Sequence, residues 1–466
     1  MRNNFVHTKP LTRQKVIDDL KTFLRFPTIS SDSTKNKAIQ DCVAWLSDHL
    51  RSIGIPKVHV RQTKRHPIVY AEYLMDSSYK TILFYGHYDV QPAHPLELWK
   101  YPPFDPQIIG DHIYARGASD DKGQMFIHIK AIEYIIKNRM ECRVNLKCLF
   151  EGEEEIGSPS LPSFMQQYKN ILACHVAVVS DMKMLSMDQP AITYSLRGSL
   201  NAELTIRGHA KDLHSGNYGG FVQNPADILS QLISKINGKN GKILIPGFYT
   251  EVKDESAMER HFMSTAGQSD RKLLNEAGTK KNWGEPGFNN YERSTIRPSI
   301  VVSTLQAGHI GEGCNNIIPS IAVAKFNMRL VRNQSKEKTI SLFNYFIEQN
   351  IPQGFIYTIK YGPFTKSVEV PRDHPSLTAA ANAYTTAFGA APVFLRSGGT
   401  IPVVSLLVEL FKCPVVMMGF ALGGDNLHAP NERFYLPNLF RGIQTSIHFM
   451  KNLSVINKVS LDAYHR

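Results

Sequence analysis

The stretch Thr81-Ile-Leu-Phe-Tyr-Gly-His-Tyr-Asp-Val-Gln-Pro92 decides how the chain is read. Residues 81–85 form an unbroken apolar run, the pattern of a strand buried on both faces. His87 and Asp89 follow at its end. In extended chain, residues i and i+2 point to the same side, so both can face one spot. Asp89 is then placed to receive the second ring N–H of a metal-bound His87. A lone His-x-Asp is usually an ordinary polar pair in a turn. The pair gains weight because an apolar strand ending in a metal-type ligand recurs along this chain.

Asp120 and Asp121 lie in Gly117-Ala-Ser-Asp-Asp-Lys-Gly123, and Glu153, Glu154 and Glu155 follow the strand pattern of residues 144–150. Asp181 follows the apolar run 176–179, and His428 follows 414–420 through Gly423-Gly424. In open α/β sheets, sites form outside the carboxyl ends of the strands, which would gather these distant residues along one edge. A carboxylate-rich set with two histidines suits zinc or manganese, and the absence of cysteine argues against a closed structural zinc site. The set exceeds what one metal needs. It is enough for two metals bridged by one carboxylate, about 3.5–4 Å apart. Without cations, so many acids would push one another's pKa values upward. The triple glutamate also suits a helix N-terminus, where acids are favoured.

Outward from this core, two amphipathic helices open the chain. Val16, Ile17, Leu20, Phe23 and Leu24 share one face, and Ala38, Ile39, Cys42, Val43, Leu46 and Leu50 share the other. Strands at 68–74, 81–85, 144–150 and 175–179 alternate with helices at 124–137 and 161–168, which predicts an α/β domain with a mainly parallel sheet and helices on both faces. From about residue 196 the texture changes to short alternating strands (200–206, 299–305, 321–330, 355–360) around helices at 225–236 and 336–348. That predicts an inserted α+β domain with one antiparallel sheet. Residues 255–297 are polar and rich in Gly and Asn, an insertion within the insertion. Helix and strand patterns return at 376–388 and 414–420. The expected division is 1–195 and 371–466 for the catalytic domain, interrupted by 196–370.

The 466 residues carry a formal charge of +12, with 42% hydrophobic and 20% charged content, as in a soluble globular protein. The basic residues are spread out, and the densest cluster, Arg61-Gln-Thr-Lys-Arg-His66, is short. This reads against a nucleic-acid partner and for steering of anionic substrates. The most apolar stretch, 401–422, is broken by Ser405, Glu409, Lys412 and Pro414 and reads as core helix plus strand, so no membrane partner is expected. The first ten residues hold no apolar segment of the signal-peptide kind. Cys42, Cys142, Cys148, Cys174, Cys314 and Cys413 are far apart in sequence and are read as buried free thiols, which points to the cytoplasm.

Gly86-His-Tyr-Asp-Val-Gln-Pro92, Ser119-Asp-Asp-Lys-Gly123, Glu151-Gly-Glu-Glu-Glu-Ile-Gly-Ser158 and the His428 loop together resemble the M20 family of co-catalytic metallopeptidases, best its carnosinase-like cytosolic dipeptidases. The resemblance runs over nearly the whole chain. It implies a di-metal α/β domain with an inserted lid and dimerisation domain. It implies two divalent ions per subunit, zinc or manganese, with Asp120 bridging, His87 and Asp181 completing one site, and Glu155 and His428 the other. Glu154 is implied as general base and Asp89 as the residue orienting His87, which leaves Glu153 without a role. Asp212-Leu-His-Ser-Gly216 resembles the lid motif whose histidine reaches the partner subunit's site, so His214 is implied as an oxyanion stabiliser in a homodimer. Arg329 resembles the arginine that clamps the substrate's free carboxylate, and Arg396-Ser-Gly-Gly-Thr400 the loop lining the substrate pocket with Gly398, Gly399 and Thr400. Asn316 stands where animal dipeptidases tend to have a hydroxyl residue.

The expected activity is hydrolysis of a peptide bond beside a free carboxylate, by a dipeptidase or carboxypeptidase using a metal-bridging hydroxide. One alternative keeps the site and changes the substrate, to an N-acyl-amino-acid deacylase or desuccinylase. The other is a non-catalytic binding protein on the same fold.

Overall fold

The apolar run forms the strand Lys80–His87, buried at every residue, and the parallel neighbour Val144–Glu151 is buried throughout as well. Such burial requires cover on both faces of the sheet. Val176–Val179 pairs in parallel on the other side of Lys80–His87, and Val415–Met418 pairs in parallel with Val176–Val179. In this computed structural model, which describes residues 12–461, these four strands are the centre of a larger sheet. Ile68–Tyr73 and Lys57–Arg61 extend it antiparallel at one side, and Ala191–Leu196 pairs antiparallel with Val415–Met418 at the other. The helix Lys122–Lys137 is buried on nearly all sides and packs between Arg13–Leu24 and Leu436–Val455. This is the expected α/β architecture, with the parallel order confined to the strands that end in ligand candidates.

The four parallel strands belong to a unit made of Met1–Tyr194, Val370–Leu395 and Pro402–Arg466. A second unit comprises Ser195–Glu369 and the short segment Arg396–Ile401. Its four-stranded antiparallel sheet runs in the order Ser299–Ala307, Ile321–Leu330, Gly198–Arg207, Ile356–Thr365. Alternate residues Leu200, Ala202, Leu204 and Ile206 share one core with Ala322, Ala324, Phe326, Met328 and Leu330. Helices Pro225–Ile236 and Lys336–Asn350 add Ile228, Leu229, Leu232, Phe343 and Ile347 to that core, so both lie on one face of the sheet.

Residues 255–297 contain three helices, Ala257–Ala266, Asp270–Glu276 and Asn290–Thr295. Each begins at a side-chain cap, Ser256, Ser269 and Asn289, which satisfies amides at the helix start. They close over a small core of Met263, Tyr291 and Ile296.

All six cysteines are free thiols. Two details differ from the expectation. Cys314 is exposed and Cys174 only partly buried. Cys174 and Cys413, distant in sequence, bring their sulfurs to 3.6 Å because they precede the paired strands Val176–Val179 and Val415–Met418. No helix among the described residues is long and apolar enough to cross a membrane.

Candidate metal centre

The parallel strands end together. His87 pairs in register with Glu151, and Asp181 stands two residues beyond Val179. His87 is fully buried, with Nδ1 3.2 Å from its hydrogen-bond partner, the Asp89 backbone carbonyl, and 3.3 Å from an Asp89 carboxylate oxygen, and with Nε2 3.3 Å from Oδ1 of Asp120. The Asp120 contact lies outside hydrogen-bonding geometry, which leaves Nε2 without a hydrogen-bond partner. Asp89 also accepts the backbone N–H groups of Glu154 at 3.2 Å and Glu155 at 3.1 Å. One carboxylate thereby ties the end of one strand to the turn that follows the next.

The other oxygen of Asp120, Oδ2, lies 2.8 Å from Nε2 of His428, which is 3.4 Å from Oε2 of Glu155. Two ligand sets result, His87–Asp120–Asp181 and Asp120–Glu155–His428, each with its ligand atoms within 4.8 Å of one another. Asp120 is common to both. His428 has a left-handed backbone, φ 60°, as have Asn426 and Asn431 on the same loop. Such strain in non-glycine residues persists only where the surroundings hold it.

The electrostatics of the cluster fit cations. With Nδ1 donating to Asp89, His87 would turn a lone pair from Nε2 toward carboxylate oxygens, an arrangement that only a proton or a metal ion relieves. Burial, reinforced by Asp120, pushes Asp181 up to about 7 and Glu155 up to about 7. Burial likewise raises Glu154 to about 7, with Asp181, Asp89 and Asp120 adding to it and His87 opposing. His428 is raised to about 9 by its bond to Asp120, and His87 is raised well above its ordinary value because Asp120 and Asp89 outweigh its burial. Asp181, Glu154 and Glu155 held up together with both histidines, while His428 and His87 hold Asp120 down against its burial, describe a pocket short of positive charge. The residues therefore fit divalent cations of the zinc or manganese type.

A third acidic group does not. Asp19, His49 and Glu133 also converge, but the Lys130 ammonium sits among them, at 2.6, 3.2 and 2.7 Å. The lysine is already the cation of that site.

Glu153 stands apart from its two neighbours. It is buried, accepting from Thr63 Oγ1 at 2.7 Å, the His66 N–H at 2.9 Å and the Ser160 N–H at 3.0 Å. Asp121 is buried beneath His87, accepting its N–H at 3.3 Å. Glu432 was not anticipated. It is fully buried and accepts from Arg116 Nη1 at 2.8 Å and the N–H groups of Gly117, Ser119 and Asp120 at 2.9–3.1 Å. It shapes the loop that presents Asp120. Gly123 completes that turn, because a Cβ there would lie 1.9 Å from the Ala118 carbonyl oxygen. Asp425 assists by accepting from Ser119 Oγ at 2.9 Å. Neither acid belongs to a motif, and only their position four or fewer residues from His428 hinted at them.

The remaining site residues lie in the second unit. His214 is exposed, and its Nδ1 accepts the Gly216 N–H at 3.1 Å. Asp212 accepts from Ser320 N–H and Oγ. Asn316 is exposed, with its carbonyl bonded to the Ser215 N–H at 2.9 Å. Arg329 Nη1 donates to Thr400 Oγ1 at 2.8 Å, and Thr400 in turn donates to the Arg197 carbonyl at 2.7 Å. The Arg197 guanidinium is lowered to about 10 by burial and by the nearby Arg329. Gly398 is half-buried and Gly399 exposed beside them.

Residues 83–452 match the sequence profile of peptidase family M20/M25/M40. Among curated proteins, the chain is 29% identical over 455 residues to a Cys-Gly metallodipeptidase of Candida albicans, covering 93% of each. It is 27% identical over 404 residues to the β-Ala-His dipeptidase of Homo sapiens, covering 84% of this chain and 78% of that one. Among solved structures, an M20 family metallo-carboxypeptidase from Sulfolobus solfataricus superposes with a TM-score of 0.84 at 30% identity, over 95% of this chain and 100% of that one. The profile match over most of the chain, joined to the ligand sets at the strand ends, makes this protein a metal-dependent peptidase of family M20/M25/M40, in its carnosinase-like branch.

Proposed function

We propose that the protein hydrolyses the peptide bond beside a free carboxylate, as a dipeptidase or carboxypeptidase. The observation that carries this reading is Asp120, whose two oxygens face two histidines belonging to two ligand sets. In this reading His87, Asp120 and Asp181 hold one zinc or manganese ion, and Asp120, Glu155 and His428 hold a second. Such ions would supply Lewis-acid polarisation of the scissile carbonyl and would make a nearby water more acidic.

Glu154, beside both ligand sets, would take a proton from the attacking water on a carboxylate oxygen and return it to the leaving nitrogen. Asp89 keeps the His87 ring and the Glu154–Glu155 amides in place. His214 accepts at Nδ1, so its proton resides on Nε2, a donor for the oxyanion of the partner subunit's site. The second unit thus serves as lid and dimerisation surface. Arg329 makes one hydrogen bond, to Thr400, and no ion pair among the described residues, which leaves guanidinium donors for a bidentate hold on the substrate carboxylate. Gly398, Gly399 and Thr400 belong with Arg329 in this subsite, and Asn316, whose carbonyl accepts the Ser215 N–H beside His214, is a further substrate-binding residue in this reading. Similar proteins are named for Cys-Gly and β-Ala-His, both dipeptides with such a carboxylate. Six free thiols support a cytoplasmic setting.

The test is amino-acid release from a panel of dipeptides and a panel of N-acyl amino acids, with zinc and manganese added separately and metal content measured. Dipeptide hydrolysis with two ions per subunit, both lost on chelation, is expected. Preference for the N-acyl panel would make the protein a deacylase. A single ion at saturation would overturn the shared-carboxylate reading.

A further inference from the structure

Residues 255–297 contribute no strand to any sheet, yet their side chains and carbonyls converge on one short segment, Arg396–Ile401. Tyr291 is buried, and its hydroxyl donates to the Arg396 carbonyl at 3.0 Å while accepting the Arg396 N–H at 2.6 Å. A single phenol therefore satisfies both backbone groups of one residue. The Arg396 guanidinium is itself buried among Glu255 at 3.2 Å, Glu259 at 3.0 Å and Glu369 at 2.9 Å, the first two from the insertion. Gly398 rests against the Ser294 carbonyl, where a Cβ would come within 2.2 Å. Arg197 adds Nε to the Gly398 carbonyl at 3.1 Å and Nη1 to the Arg297 carbonyl at 3.1 Å.

The held segment includes Thr400. Its hydroxyl proton is committed to the Arg197 carbonyl, so the oxygen meets Arg329 as an acceptor in a fixed direction. Two glycines precede it, Gly398 and Gly399, and without external contacts they would let this loop sample many conformations. Ordering it before the substrate arrives lowers the entropic cost of binding.

We propose that residues 255–297 act as a specificity brace: through Tyr291 and Arg396 they fix the Arg396–Ile401 segment, so that Thr400 aims Arg329 at the substrate's carboxylate. Tyr291 and Arg396 are positioning residues. The inference rests on the reading of Arg329 as the carboxylate clamp. An insertion that only stabilised the fold would affect every substrate alike.

The experiment compares kcat/KM for a dipeptide and for its C-terminal amide, in the metal-loaded enzyme and in Arg329→Ala, Tyr291→Phe and Thr400→Val, with thermal melting to confirm that each is folded. Tyr291→Phe strands two buried backbone groups, and we expect it to cost the acid substrate roughly tenfold, mostly in KM, while the amide changes by less than about twofold. Thr400→Val should lower the acid-to-amide preference in the same way, and it tests the final link should Tyr291→Phe fail to fold. If Arg329→Ala collapses the preference while Tyr291→Phe and Thr400→Val leave it intact or reduce both substrates equally, the brace is wrong and the clamp stands. If Arg329→Ala keeps the preference, the clamp reading falls, and the brace with it.

Discussion

Glu153, Glu154 and Glu155 show what one residue type becomes in three environments. Glu153 receives three hydrogen bonds from neighbouring segments, whereas Glu154 and Glu155 face the acid-rich cluster and are raised to about 7. Glu154→Gln should retain metal and lose at least about 10²-fold in turnover, because the amide cannot take a proton. Glu153→Gln should behave in the opposite way, keeping turnover per folded molecule and losing about 1–3 kcal/mol of stability through its broken network. Turnover and urea denaturation of the two variants check this. Near-normal turnover in Glu154→Gln would move the base elsewhere. The ligand candidates were legible because each follows a strand or motif that can be recognised by spacing. Glu432 was not, since an acid that folds back to bind Arg116 and three amides across the chain leaves no local pattern.

At the level of elements, legibility followed periodicity. Strands such as Lys80–His87, Val144–Glu151 and Ile321–Leu330 announce themselves by continuous or alternating apolar residues. The three short helices within 255–297 do not. They are capped by Ser and Asn, which also read as loop residues, and they share a core of only a few side chains. The helix Lys122–Lys137 hides a different feature, because almost no face of it is polar toward solvent. His128, fully buried there, bridges Ser180 Oγ at 2.6 Å and Ser446 Oγ at 2.9 Å, and burial lowers it from 6.5 to about 3. Folded protein therefore refuses a proton that the unfolded chain accepts below 6.5. The stability it contributes is full above that pH and is lost as pH falls toward 3. In metal-free protein, His128→Gln should flatten the pH dependence of unfolding free energy between pH 6 and 4 by about 1.4 kcal/mol per pH unit. Urea titrations at three pH values would read it, and an unchanged slope would mean that His128 is not held neutral.

For the molecule as a whole, the proposed chemistry draws on both units of the chain. The ligand sets and Glu154 lie in the first unit, while His214 lies exposed in the second with its Nε2 proton directed by the Gly216 N–H. A donor is needed where the oxyanion develops, and losing one costs about 2.7–4 kcal/mol in the transition state with little effect on metal content. His214→Ala should show that pattern, but so would a histidine acting within its own subunit. Mixing separates the two cases. His214→Ala and Glu154→Gln are each expected to be nearly inactive as pure dimers. When subunits exchange, one site of each mixed dimer would combine the first variant's Glu154 with the second variant's His214. With half of the dimers mixed and one intact site in each, activity should recover to about a quarter of the wild-type value. Exchange must be proven independently, by mass spectrometry of differently tagged subunits. If tagged heterodimers form and no activity returns, His214 serves its own subunit's site or none, and the second unit loses its assigned role in the partner's chemistry.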